Sequence, residues 1–167
     1  MPLLVRRINR AKWEQIVDTR IDKDVSADAI TNCLKTFNND LSVWHIESDA
    51  DLEKAILALI TGSSQTKLST LHIVIINEAI ALNKGLSLVN TKGDTVVKEL
   101  INTHRDLNNL TYSKLGIVKD LIVDSIKDNR TTFFTKKQLK ELITKALEDG
   151  RVDKLELHQD LVASEKL

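Results

Sequence analysis

The chain has a single proline and five glycines in 167 residues. So few residues that break or loosen the backbone argue against long flexible linkers and favour regular elements throughout. One cysteine, Cys33, excludes an internal disulfide and a paired-cysteine zinc site. No apolar run approaches the length that crosses a bilayer, and the opening MPLLV is too short for a secretory signal, so a reducing cytoplasm is the expected home. Aromatic residues make up only 4%, which leaves Leu, Ile and Val to fill the core. Neither sign of charge dominates, with 24 Lys and Arg against 24 Asp and Glu. That balance removes the global attraction expected of a dedicated nucleic-acid or acidic-membrane binder, but it leaves local patches open. It also lowers self-repulsion, which favours association.

What remains is ordinary for a globular protein: 42% hydrophobic and 29% charged residues, in a length suited to one domain spanning residues 1–167. PLLVRRINR reads as a short strand, placed at an edge because arginines interrupt it. AKWEQIVD offers one or two helical turns with Trp13, Ile16 and Val17 on one side, and residues 19–24 read as a loop. SADAITNCLKTF has helical spacing with Ser26 as its cap, and NND marks a turn. LSVWHIE is β-prone. SDADLEKAILALITG is the clearest early helix, with a Ser48–Asp51 start signal and a stop at Gly62. TLHIVIIN, with four consecutive apolar residues after His72, predicts a central strand covered on both faces. In EAIALNKGLSLVN we favour a turn at NKG and a strand at LSLV, with a helical turn before them as the rival.

From Gly93 the pattern becomes helical. Val96, Val97, Leu100, Ile101 and Leu107 predict a helix over residues 94–108. TYSKLGIVKDLIVDSIKDN predicts a second, with a wide apolar face. TKKQLKELITKALEDG carries a capping box, Thr135 with Gln138, and a stop at Gly150. The last segment predicts a final helix. The expected fold is therefore α+β: a small sheet of three to four short strands in a mixed part, residues 1–90, followed by an all-helical part, residues 93–167.

Reactive constellations are scarce. KALEDGRVDKLEL aligns with half of an EF-hand loop through Asp149, Gly150 and Glu156. Lys145 and Leu147 then stand where two carboxylates should meet the ion, so a helix stop is the better reading and no metal is expected. The four histidines lack ligand spacing, and no phosphate loop or nucleophile elbow is present. No cofactor is implied. His104, beside Arg105 and Asp106, is the one candidate base, and it underlies a minor reading as a small enzyme.

The leading expectation is a cytoplasmic protein-binding or adaptor protein without catalysis, such as a subunit of a larger bacterial or phage accessory complex. Its partner surface, or a homo-oligomeric contact, is sought on the apolar face of Leu115, Val118, Ile122 and Ile126. The alternative is nucleic-acid binding. It would use Arg6, Arg7 and Arg10, with Lys12, and a second cluster of Lys136, Lys137 and Lys140, with Lys127 and Arg130. Phe133 or Phe134 would stack a base. No membrane contact is expected.

Overall fold

A computed structural model describes residues 1–17 and 24–167, with side chains for 1–13 and 24–167. The chain runs β1 (Leu3–Ile8), α1 (Arg10–Val17), α2 (Ala27–Cys33), β2 (Leu41–Ile46), α3 (Leu52–Ile60), β3 (Leu71–Asn77), α4 (Glu78–Asn83) and β4 (Ser87–Asn90). It continues through β5 (His104–Asn108), α5 (Tyr112–Lys127), β6 (Thr131–Phe134), α6 (Lys136–Glu148) and α7 (Gln159–Glu165). Among the described residues the strands form one six-stranded antiparallel sheet in the order β4-β5-β2-β1-β3-β6. The fold is α+β, with strands spread through the whole chain.

Alternation along the strands builds two cores. Leu4 and Ile8 of β1, Leu41 and Val43 of β2, and Val74 and Ile76 of β3 point to a first face, where α1, α2, α4 and α5 pack through Trp13, Ala29, Ala81 and Ile122. Leu3, Val5, Trp44, Ile46, Ile73 and Ile75 point to a second face, covered by α3, α6 and α7 through Ile56, Ile143 and Leu161. Three layers result, which explains why β3 buries four residues in succession, Ile73 to Ile76.

Several local signals act as expected. Ser26 accepts a hydrogen bond from Ala29 N, and Thr135 with Gln138 forms a complete capping box. Asn38 and Asn39 both take positive φ, +53° and +65°, in a two-residue turn that pairs Phe37 with Asp40. α6 ends at Gly150, whose φ is +69°. Lys145 and Leu147 lie within that helix, so the EF-hand-like stretch is a helix stop. Both rivals in EAIALNKGLSLVN are present in succession, α4 and then β4.

Three expectations fail. The sheet has six strands, not three to four, because two of them come from the half expected to be helical. The C-terminal half is not all helical: residues 94–108 form a short 3-10 turn, Lys98–Thr103, and then β5, and TTFF forms β6. Val97 and Leu100 do enter the second core, as an amphipathic stripe would, but β-branched Val96 and Val97 with Asn102, Thr103 and Asn108 weaken an α-helix there. Pairing of β5 with β2 and β4 wins. Likewise β1 is central, between β2 and β3, instead of at an edge. The loop expected over residues 19–24 lies, apart from Asp24, outside the described residues, as do the side chains of Ile16 and Val17.

Candidate anion-binding cleft

The two arginines of β1 fit a central position because the sheet is split there. β1 pairs with β2 only from Leu3↔Ile46 to Val5↔Trp44. Beyond that point β1 stays with β3 as far as Ile8↔His72, and β2 stays with β5 as far as Leu41↔Leu107. The middle of the sheet therefore opens at one end. A cleft of about 520 Å³ fills the gap, lined by both arginines with Asn9, Asn32, Ser42 and His72, among others.

Arg6 bridges the split. Its Nε and Nη2 donate to the Cys33 carbonyl at 2.9 and 2.6 Å, and its Nη1 donates to the Ser42 carbonyl. Cys33 is the last residue of α2, where a helix leaves carbonyls without intrahelical donors. The guanidinium thus satisfies a helix end and holds that helix to β2. Burial lowers the pKa of Arg6 to about 10, against the pull of Cys33 and Asp106 in the other direction, so the group is still cationic at neutral pH. The Cys33 thiol is buried beside it and accepts a hydrogen bond from Asn9 N at 3.1 Å.

Arg7 points to the opposite face and is exposed, with no ion-pair or hydrogen-bond partner among the described residues. No Asp or Glu is among the residues lining the cleft. His72 adds a polar atom: its Nδ1 is shielded from solvent and has no hydrogen-bond partner among the described residues. Asp106, opposite Ser42 on the neighbouring strand, acts on Arg6 from outside the lining, whereas Arg7 faces no carboxylate among the described residues, so the cleft can receive negative charge at Arg7.

The N-terminal basic cluster and TTFF meet in space. Across the first face, Ile8, His72 and Phe133 stand in one row, and Arg6, Val74 and Thr131 stand in the next. Phe133 lies on His72, with ring centroids 5.6 Å apart and planes inclined by 32°. Arg10 donates to Thr131 Oγ1 at 2.5 Å. The second basic cluster is otherwise engaged. Lys136 pairs with the Glu165 carboxylate at 3.0 Å, Lys140 donates to the Glu165 carbonyl at 2.5 Å, and Lys137 faces Glu141 at 3.8 Å.

The other sequence candidates lie elsewhere. Val118, Ile122 and Ile126 are buried in the first core, and Leu115 is half-buried at its margin, so most of the sought partner face is covered from within the chain. Leu115 instead borders a shallow groove with Val25, Ile30 and the 94% exposed Tyr112. His104 sits on β5 and is buried edge-on against Trp44, with its Nδ1 2.7 Å from Thr91 Oγ1. Burial lowers its pKa, Asp106 opposes this, and Arg105 adds to it. That imidazole is a packing residue with a partner, outside the cleft.

His72, Asn32 and Ser42 were not singled out as site residues by the sequence. The one available signal was the pair Arg6–Arg7 inside an apolar strand, because a central strand can hold such residues only where the sheet opens. Among the described residues, no helix is long and apolar enough to cross a membrane. No family model, curated protein or solved structure matches this chain.

Proposed function

We propose that the chain is a binding protein whose recognition site is the cleft between β1 and β2, and that the group it captures there is anionic. The observation that carries this reading is Arg7, an exposed guanidinium without a partner among the described residues, lining the same opening as the half-buried Arg6, with no carboxylate among the lining residues. A desolvated guanidinium already fixed by backbone carbonyls costs little further ordering when a ligand arrives. Calorimetric titration with inorganic tripolyphosphate tests the reading. Binding that Arg7→Ala weakens at least tenfold, with unchanged thermal stability, is the expected result. Absence of heat at low ionic strength would overturn it.

A second reading, docking of a protein partner, is favoured by the groove around Tyr112, Leu115, Val25 and Ile30. An almost fully exposed tyrosine beside half-buried aliphatic residues has the composition of an interface anchor. Crosslinking in the native host, compared between the wild type and Tyr112→Ala, distinguishes this surface from the cleft.

A further inference from the structure

We infer that the chain pairs with a second copy of itself through β6, joining two sheets into one about a two-fold axis at Thr132. β6 lies at the end of the sheet and pairs with β3 alone. Ile75 N donates to the Arg130 carbonyl at 2.9 Å, in register with the pairs from Val74↔Thr131 to Leu71↔Phe134. Hydrogen-bonded and non-bonded pairs alternate along an antiparallel ladder, so Arg130, Thr132 and Phe134 turn their backbone groups to β3. Thr131 and Phe133 turn theirs outward, where those groups meet no hydrogen-bond partner among the described residues. No charged residue or proline stands between Thr131 and Phe134, although these are the usual means of blunting a sheet edge. Phe133 is also 55% exposed, whereas the other edge strand, β4, carries no exposed aromatic residue.

These outward groups are complementary to a copy of themselves. When two β6 strands run antiparallel about Thr132, Thr131 of each copy faces Phe133 of the other. Both residues lie on the first face, as directly opposed residues must. Their N–H and C=O groups then exchange two hydrogen bonds at each of the two pairs, and every outward group on both edges is met. His72 holds one side of the Phe133 ring, with centroids 5.6 Å apart, and the rest of the ring turns toward Thr131 of the second copy. Arg10 donates to Thr131 Oγ1 at 2.5 Å, so pairing brings the second copy's guanidinium to the ring. The separation is on the scale of a cation–π contact, about 6 Å. A strand from an unrelated protein would meet the same backbone groups but would have to supply its own match for the ring. Zero formal charge adds little repulsion between copies. So short a ladder buries less than about 1,200 Å², the range of weak and reversible contacts.

Sedimentation velocity on the full chain, from low micromolar to near-millimolar concentration, should show a reversible monomer–dimer equilibrium with its midpoint in the micromolar range. Thr131→Pro removes an outward N–H and leaves the ladder to β3 intact, because proline is accepted at the start of an edge strand. Phe133→Lys sets a charge opposite Arg10 of the second copy. Each should weaken dimerisation at least tenfold with an unchanged circular dichroism spectrum. Should the proline variant unfold, Phe133→Lys and a cysteine crosslink decide alone. Thr132→Cys supplies that crosslink: at the axis the two Cα atoms stand about 4.5 Å apart, within the span of a disulfide. Mild oxidation should link this variant into a covalent dimer, while the wild type, whose one cysteine is buried, stays unlinked. Tyr112→Ala, on the separate groove, should dimerise like the wild type. A wild type that is monomeric throughout, a dimer that withstands Phe133→Lys and resists crosslinking at Thr132→Cys, or one lost in Tyr112→Ala would overturn the inference. None of these outcomes bears on anion binding in the cleft, which the tripolyphosphate titration tests by itself.

Discussion

Individual residues set the fine structure around the cleft. Gly93 is one of them: a Cβ there would lie 2.3 Å from the Trp44 ring and 2.9 Å from the Cβ of His104. The absence of a side chain is what lets the loop before β5 close over this aromatic pair. Gly93→Ala should therefore cost about 1–3 kcal/mol through overpacking, read as a lower urea midpoint at unchanged slope. Arg6 is a second case. Arg6→Met keeps much of the volume but strips donors from the Cys33 and Ser42 carbonyls. Leaving such acceptors unmet costs about 1–3 kcal/mol, and the urea midpoint of that variant should fall accordingly.

Glu165 shows how one residue ties down a whole element. Its buried carboxylate accepts from Leu68 N at 3.0 Å and pairs with Lys136, and its backbone carbonyl accepts from Lys140. Burial alone would raise its pKa, but these donors outweigh burial and hold it below the ordinary 4.5. A carboxyl whose pKa is depressed on folding stabilises the fold fully above its ordinary value, and the contribution disappears as pH falls through the folded value. Docking of α7 should accordingly weaken below about pH 4.5, and Glu165→Gln should be less stable at pH 7 with a flatter acid limb in urea titrations. At the opposite end of the neighbouring element, Thr135→Ala removes half of the capping box of α6 and should cost about 1 kcal/mol.

The elements whose signals are local were legible in the sequence: the Ser26 and Thr135 caps, the asparagine turn and the stop at Gly150 all rest on neighbours a few residues away. Elements that exist through distant pairing were not. His104 to Asn108 is a strand because β2 and β4 flank it, and Thr131 to Phe134 is a strand because β3 has a free side. The site followed the same rule. Arg6, Arg7 and Arg10 stood out by type, and Phe133 by its aromatic ring, but their meeting depends on strand order, which no local pattern encodes.

For the molecule as a whole, the distribution of charge matters more than its sum. Zero net charge coexists with a cleft holding two arginines, while Lys136 and Lys140 of α6 are engaged in holding α7. Binding of tripolyphosphate should accordingly weaken as salt rises, and Arg7→Ala should flatten that dependence in a calorimetric salt series.

Strand order also bears on how the chain must be made. The three middle strands, β2, β1 and β3, are all complete by Asn77, whereas β5 and β6, which flank them, come from residues 104–134. A nascent polypeptide that has emerged only as far as Asn90 already holds the apolar centre of its sheet, yet both sides of that centre are still bare hydrogen-bonding edges. Ribosome stalling or proteolytic clipping in that interval would release a fragment prone to self-association, and shielding of those edges awaits synthesis of the second half.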